Sequence, residues 1–332
     1  MNYQHFLDAL LTYIPQQSQW NISEEDCKLY EDGFTATNEE ELLFVRNTNL
    51  KYNHVESDVL IGDFIELIVS TSESGGMICR FSGKYLYDEF LAEGWEKIDY
   101  IISENVKMAT MSGVDAITAH ITDYSFIRER LIIRPINYTD NRYELKDCIY
   151  ERIGDIALVL YVLLYESEEM GFGTVKVQKR IFDQWEKERE EVWEEALVNT
   201  NVWAPPRLYV KQEELFNPPY TTGAFMAINS NIDSIGRFFP PVVTTTKKKN
   251  GAIALFYPGV QEKLAELCGG SYYIAFTSID DMRIHPDGTM NPRQILQSLK
   301  DVNKGFNQPE DILSRKVFFY DSEKKSLDVK EL

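Results

Sequence analysis

The chain has 332 residues, of which 44% are hydrophobic and 13% aromatic, and its formal net charge at pH 7 is −19. The hydrophobic content excludes a wholly disordered protein, and the length suits one large or two moderate domains. The negative charge disfavours direct binding to nucleic acid or to an anionic membrane surface, because both normally require a positive patch.

The charge is distributed unevenly along the chain. Residues 247–332 contain 13 Lys and Arg against 12 Asp and Glu, so the first 246 residues carry a net charge of −20. This excess favours a protein partner with a basic surface, including a nucleic-acid-binding protein whose phosphate site is mimicked by carboxylates. The alternative is that the acidity serves only solubility, as in many soluble bacterial proteins.

The cysteines and apolar segments predict a soluble, cytoplasmic protein. Four cysteines, at Cys27, Cys79, Cys148 and Cys268, have no CxxC spacing, and no basic leader precedes an apolar run at the N-terminus. The longest apolar run, from Ile156 to Tyr165, is ten residues long. A membrane helix needs about 20 such residues.

The first 125 residues are predicted to form a small α+β unit. Residues 3–14 show the apolar spacing of an amphipathic helix, and residues 59–69 contain short apolar runs that suit a strand or a short helix. From Lys84 to Met108 the pattern is helical, with Gly94 as an interruption.

Residues 126–332 are predicted to form a larger α+β unit with a mixed sheet. Asp155 to Tyr165 has the continuous apolar character of a buried central strand. The other predicted elements are a strand at 131–133, a strand at 173–177 reached through a turn near Glu169, a helical turn at 212–216, a helix at 291–303 and a hairpin formed by 316–320 and 325–329.

A long helix is predicted from Ile181 to Asn199, with one face almost entirely acidic. Carboxylates four residues apart on a helix repel each other by about 0.2–0.5 kcal/mol per pair. One hypothesis is that this face binds a basic partner, and the alternative is a solvated helix held by Trp185 and Trp193. The candidate partner-binding residues are Glu186, Glu190, Glu191, Glu194 and Glu195.

The segment from Asn250 to Asp281 is predicted to form a strand, a helix and a second strand. The helix follows Pro258 and ends at Gly269, and polar residues follow the second strand. If the two strands are parallel neighbours, these polar groups lie near the N-terminus of the helix, where a small ligand could bind. Alternatively, they only cap the strand end. The candidate ligand-binding residues are Tyr257, Gly259, Ser278, Asp280 and Asp281.

The sequence contains no established catalytic motif. The four histidines, His5, His54, His120 and His285, are all more than five residues apart, so a helical HxxxH zinc pair is excluded. Phosphate-binding GxxxxGK[ST] and nucleophile GxSxG motifs are also absent. We therefore predict no metal site, no cofactor and no catalytic residues.

Several separated motifs resemble, in their order, an uncharacterised domain family common in gut clostridia and their relatives. The resemblance covers nearly the whole chain and implies no known activity. Its motifs are Ile136-Asn137-Tyr138, Asp155-Ile156-Ala157, Trp193 to Thr200, Asn250-Gly251-Ala252, Tyr257 to Val260 and Glu310 to Ser314.

One departure from the family pattern falls at the candidate ligand site. The family has His-Glu at the end of the second strand, whereas this chain has Asp280-Asp281. A His-Glu pair suits general base or metal chemistry, which this chain would then lack. The leading hypothesis is a non-catalytic cytoplasmic interaction protein that uses an acidic surface to bind a basic partner, with an inhibitor encoded on a mobile element or a nucleic-acid mimic as a subclass. The alternative is a small-molecule-binding protein or hydrolase with a site at the strand ends near Ser278 to Asp281.

Overall fold

The computed structural model describes residues 1–53, 55–69, 77–110, 114–167, 171–209, 235, 240–305 and 307–332. The chain forms two compact units. The N-terminal unit comprises Met1–Ile127 and Leu164–Thr174, and the C-terminal unit comprises Arg128–Leu163 and Val175–Leu332. His54, the turn predicted near Glu169 and the helical turn predicted at 212–216 lie outside the described residues.

The N-terminal unit combines helices with a three-stranded antiparallel sheet of order β1-β2-β3. Its elements in chain order are α1 Tyr3–Gln16, β1 Cys27–Tyr30, α2 Glu39–Thr48, a π-helical turn Asn49–Asn53, β2 Phe64–Val69, β3 Met77–Ser82, α3 Gly83–Glu93, α4 Trp95–Ala109, α5 Val114–Ala119 and α6 Tyr124–Ile127.

The first helix of this unit forms where the apolar spacing predicts it. Its buried side chains are those of Phe6, Leu7, Leu10 and Ile14, which share one face. The side chain of Asn2 accepts a hydrogen bond from the backbone N–H of His5 at 2.9 Å and so caps the first turn. The packing of this face against the sheet builds the core of the N-terminal unit.

The strands from β4 to β13 form two further sheets. One has the order β4-β6-β5, with β7 also paired to β6, and the other has the order β13-β12-β10-β11-β9-β8. The elements are β4 Leu131–Asn137, α7 Tyr138–Asn141, β5 Tyr150–Ile153, β6 Ile156–Ser167, β7 Gly171–Lys176, α8 Lys179–Phe182, α9 Arg189–Trp203, β8 Pro206–Tyr209, β9 Val242–Thr245, α10 Val260–Cys268, β10 Tyr272–Phe276, β11 Met282–Pro286, α11 Pro292–Gly305, β12 Val317–Asp321 and β13 Ser326–Val329.

The predicted central strand is confirmed as β6. It pairs with β4 on one side and with β5 on the other, and its residues from Ile156 to Val162 are buried. Pro135 lies inside β4, opposite Leu158. Since proline lacks an N–H, this position suits a strand that is paired along one side only, as β4 is among the described strands.

A buried carboxylate connects the start of β6 to the chain before β12. Asp155 is 6% exposed and accepts hydrogen bonds from the Ser314 hydroxyl at 2.7 Å and from the Arg315 backbone N–H at 3.0 Å. Nearby, the amide nitrogen of Asn137 donates to the Leu313 carbonyl at 3.0 Å. These bonds join parts of the C-terminal unit that are more than 150 residues apart in sequence.

The α+β class is confirmed, but the predicted mixed sheet is wrong. Every strand pair whose register the structure describes is antiparallel. In particular, β10 is flanked by β11 and β12, both antiparallel to it. None of the described strand pairs therefore requires the crossover connection that joins two parallel neighbours.

The first strand predicted in the segment from Asn250 to Asp281 is instead a 3₁₀ helix, Gly251–Phe256. Four consecutive side chains, from Ala252 to Leu255, are buried. A continuous apolar run fits a buried strand and a buried helix equally well, which is why the pattern alone misled. The following helix α10 and strand β10 form as predicted.

The long acidic helix also differs from its prediction. Glu186 has a φ of +50°, which no α-helix accommodates, and it separates the short helical segment ending at Trp185 from α9. Helix α9 begins at Arg189 and continues to Trp203. Glu186 and Glu190 are therefore not neighbours on one helix. Glu190 and Glu191 occupy the first turn, where the helix dipole favours negative charge.

Candidate functional site

Ser278 to Asp281 form the turn of the β10–β11 hairpin. The backbone N–H of Ser278 donates to the Asp281 carbonyl at 3.3 Å. The Ser278 hydroxyl accepts hydrogen bonds from the backbone N–H groups of Asp280 at 3.0 Å and Asp281 at 3.2 Å. This is the local bonding by which serine stabilises turns, so the Ser278 side chain has a structural task here.

Asp280 connects this turn to the start of the 3₁₀ helix. Its Oδ1 accepts a hydrogen bond from the backbone N–H of Asn250 at 2.6 Å, and Lys249 Nζ lies 3.7 Å from its other oxygen. The Thr244 hydroxyl donates to the Asp280 carbonyl at 2.6 Å. Burial raises the pKa of Asp280, against the effects of the Asn250 hydrogen bond and of Lys249.

Tyr257 and Gly259 lie beyond the opposite end of the same 3₁₀ helix. The Tyr257 hydroxyl donates to the carbonyls of Thr200 at 3.2 Å and Ala204 at 3.0 Å, and burial raises the Tyr257 pKa. Gly259 adopts a φ of +78° immediately before α10. No hydrogen bond of the described residues joins this pair to the turn that contains Ser278, and neither residue lines the cavity described next.

Asp281 lines a cavity of about 470 Å³ between the β10–β11 hairpin and α11. We call this space the β11 cavity. Its volume falls within the range of about 300–1,000 Å³ typical of small-molecule sites. The polar side chains on its wall are Thr277, Ser278, Asp281, Arg283, His285, Ser298 and Asn307, and the apolar ones are Pro240, Ala275, Met290, Ile295, Leu299 and Val302.

Three ionisable groups of the wall follow one another in a row along the chain. Arg283 and His285 are alternate residues of β11 and therefore face the same side of the strand, and Asp281, which directly precedes β11, lines the same cavity. On the neighbouring strand, Ala275 lies opposite Arg283 and also lines the cavity. The row therefore presents an acid, a guanidinium and an imidazole to one cavity.

Arg283 has no carboxylate within ion-pair distance in the described part of the chain. One guanidinium nitrogen donates to the Pro240 carbonyl at 3.2 Å. Burial lowers the pKa of Arg283, and the attraction of Asp281 opposes this effect. A guanidinium offers five N–H donors, so most of its capacity for hydrogen bonding remains for another acceptor.

His285 is buried and neutral at physiological pH. It is 8% exposed, and burial together with the positive charge of Arg283 lowers its pKa to about 4. Its ring nitrogens bond to no other side chain or backbone group among the described residues, although the ring lines the cavity. A neutral imidazole has one donor and one acceptor, both of which a ligand could use.

Helix α11 supplies the apolar wall. Ile295 and Leu299 lie on its buried face and pack against Tyr273, Ala275 and Val317 of the sheet. Sequence reasoning found Asp281 and Ser278 but missed Arg283 and His285. The available signal was the alternation of ionisable residues through β11, which is typical of a strand with one polar face.

The five predicted partner-binding glutamates do not form one face. Glu186 precedes α9, whereas Glu190, Glu191 and Glu194 are exposed on the helix. Glu195 is half-buried and forms an ion pair with Arg128. Lys187 Nζ lies 3.5 Å from Glu191, an exposed contact that contributes little.

Neither a metal-binding group of side chains nor a membrane-spanning helix is found in the described residues. No group of three or more His, Cys, Asp or Glu side chains is arranged to hold a metal ion there. No helix in the same ranges has both the length and the apolar character required to cross a bilayer.

The fold and this cavity thus define an α+β protein with a largely apolar pocket that also contains charged side chains. Residues 44–322 match the model of DUF5688, a family of unknown function, and the chain belongs to this family. The resemblance to an uncharacterised family is thereby confirmed. No curated protein matches the sequence, and no solved structure matches it.

Proposed function

We propose that the C-terminal unit binds a small molecule with an anionic group in the β11 cavity. The observation that carries this proposal is Arg283, a partly buried cation that faces the cavity and has no ion-pair partner in the described part of the chain. Burying a charge without compensation is costly. A bound anion would supply the compensation through charge-assisted hydrogen bonds.

The bonding of the serine supports binding over hydrolysis. The Ser278 hydroxyl accepts two backbone hydrogen bonds of its own turn, and the described residues show no hydrogen bond from it to His285 or Asp281. Nucleophilic catalysis requires a base within hydrogen-bond reach of the nucleophile. The polar groups of the β11 cavity therefore serve recognition in this proposal.

The test is thermal-shift and calorimetric titration with small carboxylates, inorganic phosphate and sulfate. The protein should be stabilised by at least one of these anions, since a ligand that binds only the folded state at about 100 times its Kd contributes about 2.7 kcal/mol. Arg283→Gln should remove the effect. The matched control is Arg293→Gln, which removes an exposed arginine on α11 that does not line the cavity. An equal response of both variants, or no response of the unaltered protein, contradicts the proposal.

A second candidate function is the docking of a basic protein on α9. Glu190 and Glu194 are exposed on this helix and have no ion pair in the described residues. Val198 and Val202, 56% and 75% exposed, continue the exposed side of the same helix. Acidic side chains beside exposed apolar ones suit a partner surface that is basic with apolar contacts.

This candidate is tested by reversing the charge of α9. Glu190→Lys combined with Glu194→Lys should abolish salt-sensitive binding of a fluorescent oligolysine peptide. Glu323→Lys combined with Glu331→Lys changes the net charge equally at two exposed positions elsewhere. If both double variants lose binding to the same extent, the interaction depends on overall charge and the α9 surface is not a docking site.

The four free cysteines support the proposed cytoplasmic location of the protein.

A further inference from the structure

The β11 cavity contains two opposite charges that do not neutralise each other. Asp281, the last residue of the turn, and Arg283 of β11 are two residues apart and line the same space. They attract each other electrostatically, yet no ion pair joins them in the described residues. The Thr277 hydroxyl donates to one carboxylate oxygen of Asp281, and the other oxygen remains for a further donor.

We propose that the ligand is a zwitterion with an apolar side chain, of the α-amino acid type. Its carboxylate would pair with Arg283 and its ammonium group with Asp281. This inference rests on the proposed function and adds to it a positive charge on the ligand, which pairs with Asp281. A simple anion leaves Asp281 facing it as a like charge, which is unfavourable, whereas a zwitterion satisfies both groups at once.

The charge of the imidazole fits this assignment. Because His285 is neutral, the ionisable groups that line the cavity from Asp281 and β11 are one anion, one cation and one uncharged ring. A protonated His285 would add a second cation beside Arg283 and repel an ammonium group. The neutral ring can donate a hydrogen bond to a carboxylate without changing the charge balance.

The remaining wall accounts for an apolar side chain on the ligand. Leu299 and Val302 lie one turn apart on α11 and border the cavity, and Met290 lies at its edge with 39% of its surface exposed. Methionine adapts to ligands of varied shape because its side chain is unbranched and flexible. An aliphatic or aromatic amino acid would bury its side chain against this wall.

The experiment compares ligands that share a carbon skeleton and differ in charge. L-leucine, isocaproate, which lacks the amine, and isoamylamine, which lacks the carboxylate, are titrated calorimetrically into the full chain, with L-phenylalanine as a second zwitterion. At least one of the two amino acids should bind, and each leucine analogue should bind at least about tenfold more weakly than leucine, because each leaves one partly buried charge unpaired.

Two variants test which side chain pairs with each charge of the ligand. Asp281→Asn keeps an oxygen for the Thr277 hydroxyl but removes the negative charge, so it should erase the preference for leucine over isocaproate. Arg283→Gln should weaken both, and Arg293→Gln should change neither. The ligand comparison on the unaltered protein needs no variant, so it remains decisive even if a variant fails to fold.

The outcomes separate this inference from the broader proposal. If isocaproate binds as tightly as leucine, the zwitterion assignment is overturned while anion binding at Arg283 stands. If isoamylamine alone binds, both are overturned. If both amino acids fail to bind and another anion binds, the zwitterion assignment is again overturned.

Discussion

Replacing Thr245 with valine should stabilise the C-terminal unit. Thr245 is the last residue of β9 and is fully buried, and its hydroxyl oxygen has no hydrogen-bond partner within the described part of the chain. Valine has nearly the same shape and is well suited to a strand. The substitution therefore removes an unsatisfied polar group and leaves the packing almost unchanged.

The expected gain follows from the cost of an unsatisfied buried group. Such a group destabilises the folded state by about 1–3 kcal/mol, whereas an apolar isostere is neutral or better. We expect Thr245→Val to raise the free energy of unfolding by about 1–2 kcal/mol. For a unit of this size each kcal/mol corresponds to about 2–4 °C in Tm.

Thr200 on α9 provides a matched control in the same unit. Its hydroxyl accepts a hydrogen bond from the Ile133 backbone N–H at 2.8 Å and donates to the Ala196 carbonyl at 2.5 Å. Thr200→Val leaves the buried Ile133 N–H unsatisfied and should cost about 1–3 kcal/mol. Both variants are compared with the unaltered protein by calorimetry and by urea unfolding followed by circular dichroism. If Thr245→Val destabilises the protein as much as Thr200→Val, the hydroxyl of Thr245 is satisfied and the reasoning is refuted.

Three further predictions concern titration and backbone geometry. Because burial and Arg283 lower the pKa of His285 from 6.5 to about 4, its contribution to stability is complete above pH 6.5 and is lost as pH falls toward 4. His285→Asn should thus flatten the pH profile of unfolding there by up to about 1.4 kcal/mol per pH unit, and an unchanged slope would contradict this. Gly154→Ala should cost about 2 kcal/mol or more in chemical unfolding, since φ is +62° and the added carbon would lie 2.5 Å from a side chain of β13. Gly269→Ala should cost less, because the alanine would have a strained backbone conformation but its added carbon would have no close neighbour. Burial raises the pKa of Cys268 to about 12, so its alkylation at pH 8 should be about a thousandfold slower in the folded than in the unfolded protein, as peptide mass mapping can measure.

Much of the local structure was predictable because it depends on short-range signals. Gly94, with a φ of +76°, divides α3 from α4 at the interruption that the apolar spacing predicts. The terminal hairpin of β12 and β13 follows from two short runs separated by polar turn residues. The 3₁₀ helix Gly251–Phe256 was missed because its continuous burial carries no period that distinguishes a helix from a strand.

The candidate site was predictable only in part, for a related reason. Ser278 and Asp281 were found because polar residues follow an apolar strand. Asp280 and Tyr257, predicted beside them, instead bond to Asn250 and to the carbonyls at the end of α9. The importance of Arg283 depends on α11 covering one side of the hairpin, a tertiary arrangement that the spacing of residues does not encode.

The hydrogen bonds of Asp155 affect when the C-terminal unit can complete its folding. This carboxylate directly precedes β6, yet its partners Ser314 and Arg315 are synthesised more than 150 residues later. During translation the strands β4, β5 and β6 can pair early, but the buried carboxylate stays without these partners until Ser314 and Arg315 have left the ribosome. Contacts between such distant segments slow folding. The C-terminal unit therefore completes its folding only after these residues have emerged, and its early strands stay exposed to aggregation or to chaperones in the interval.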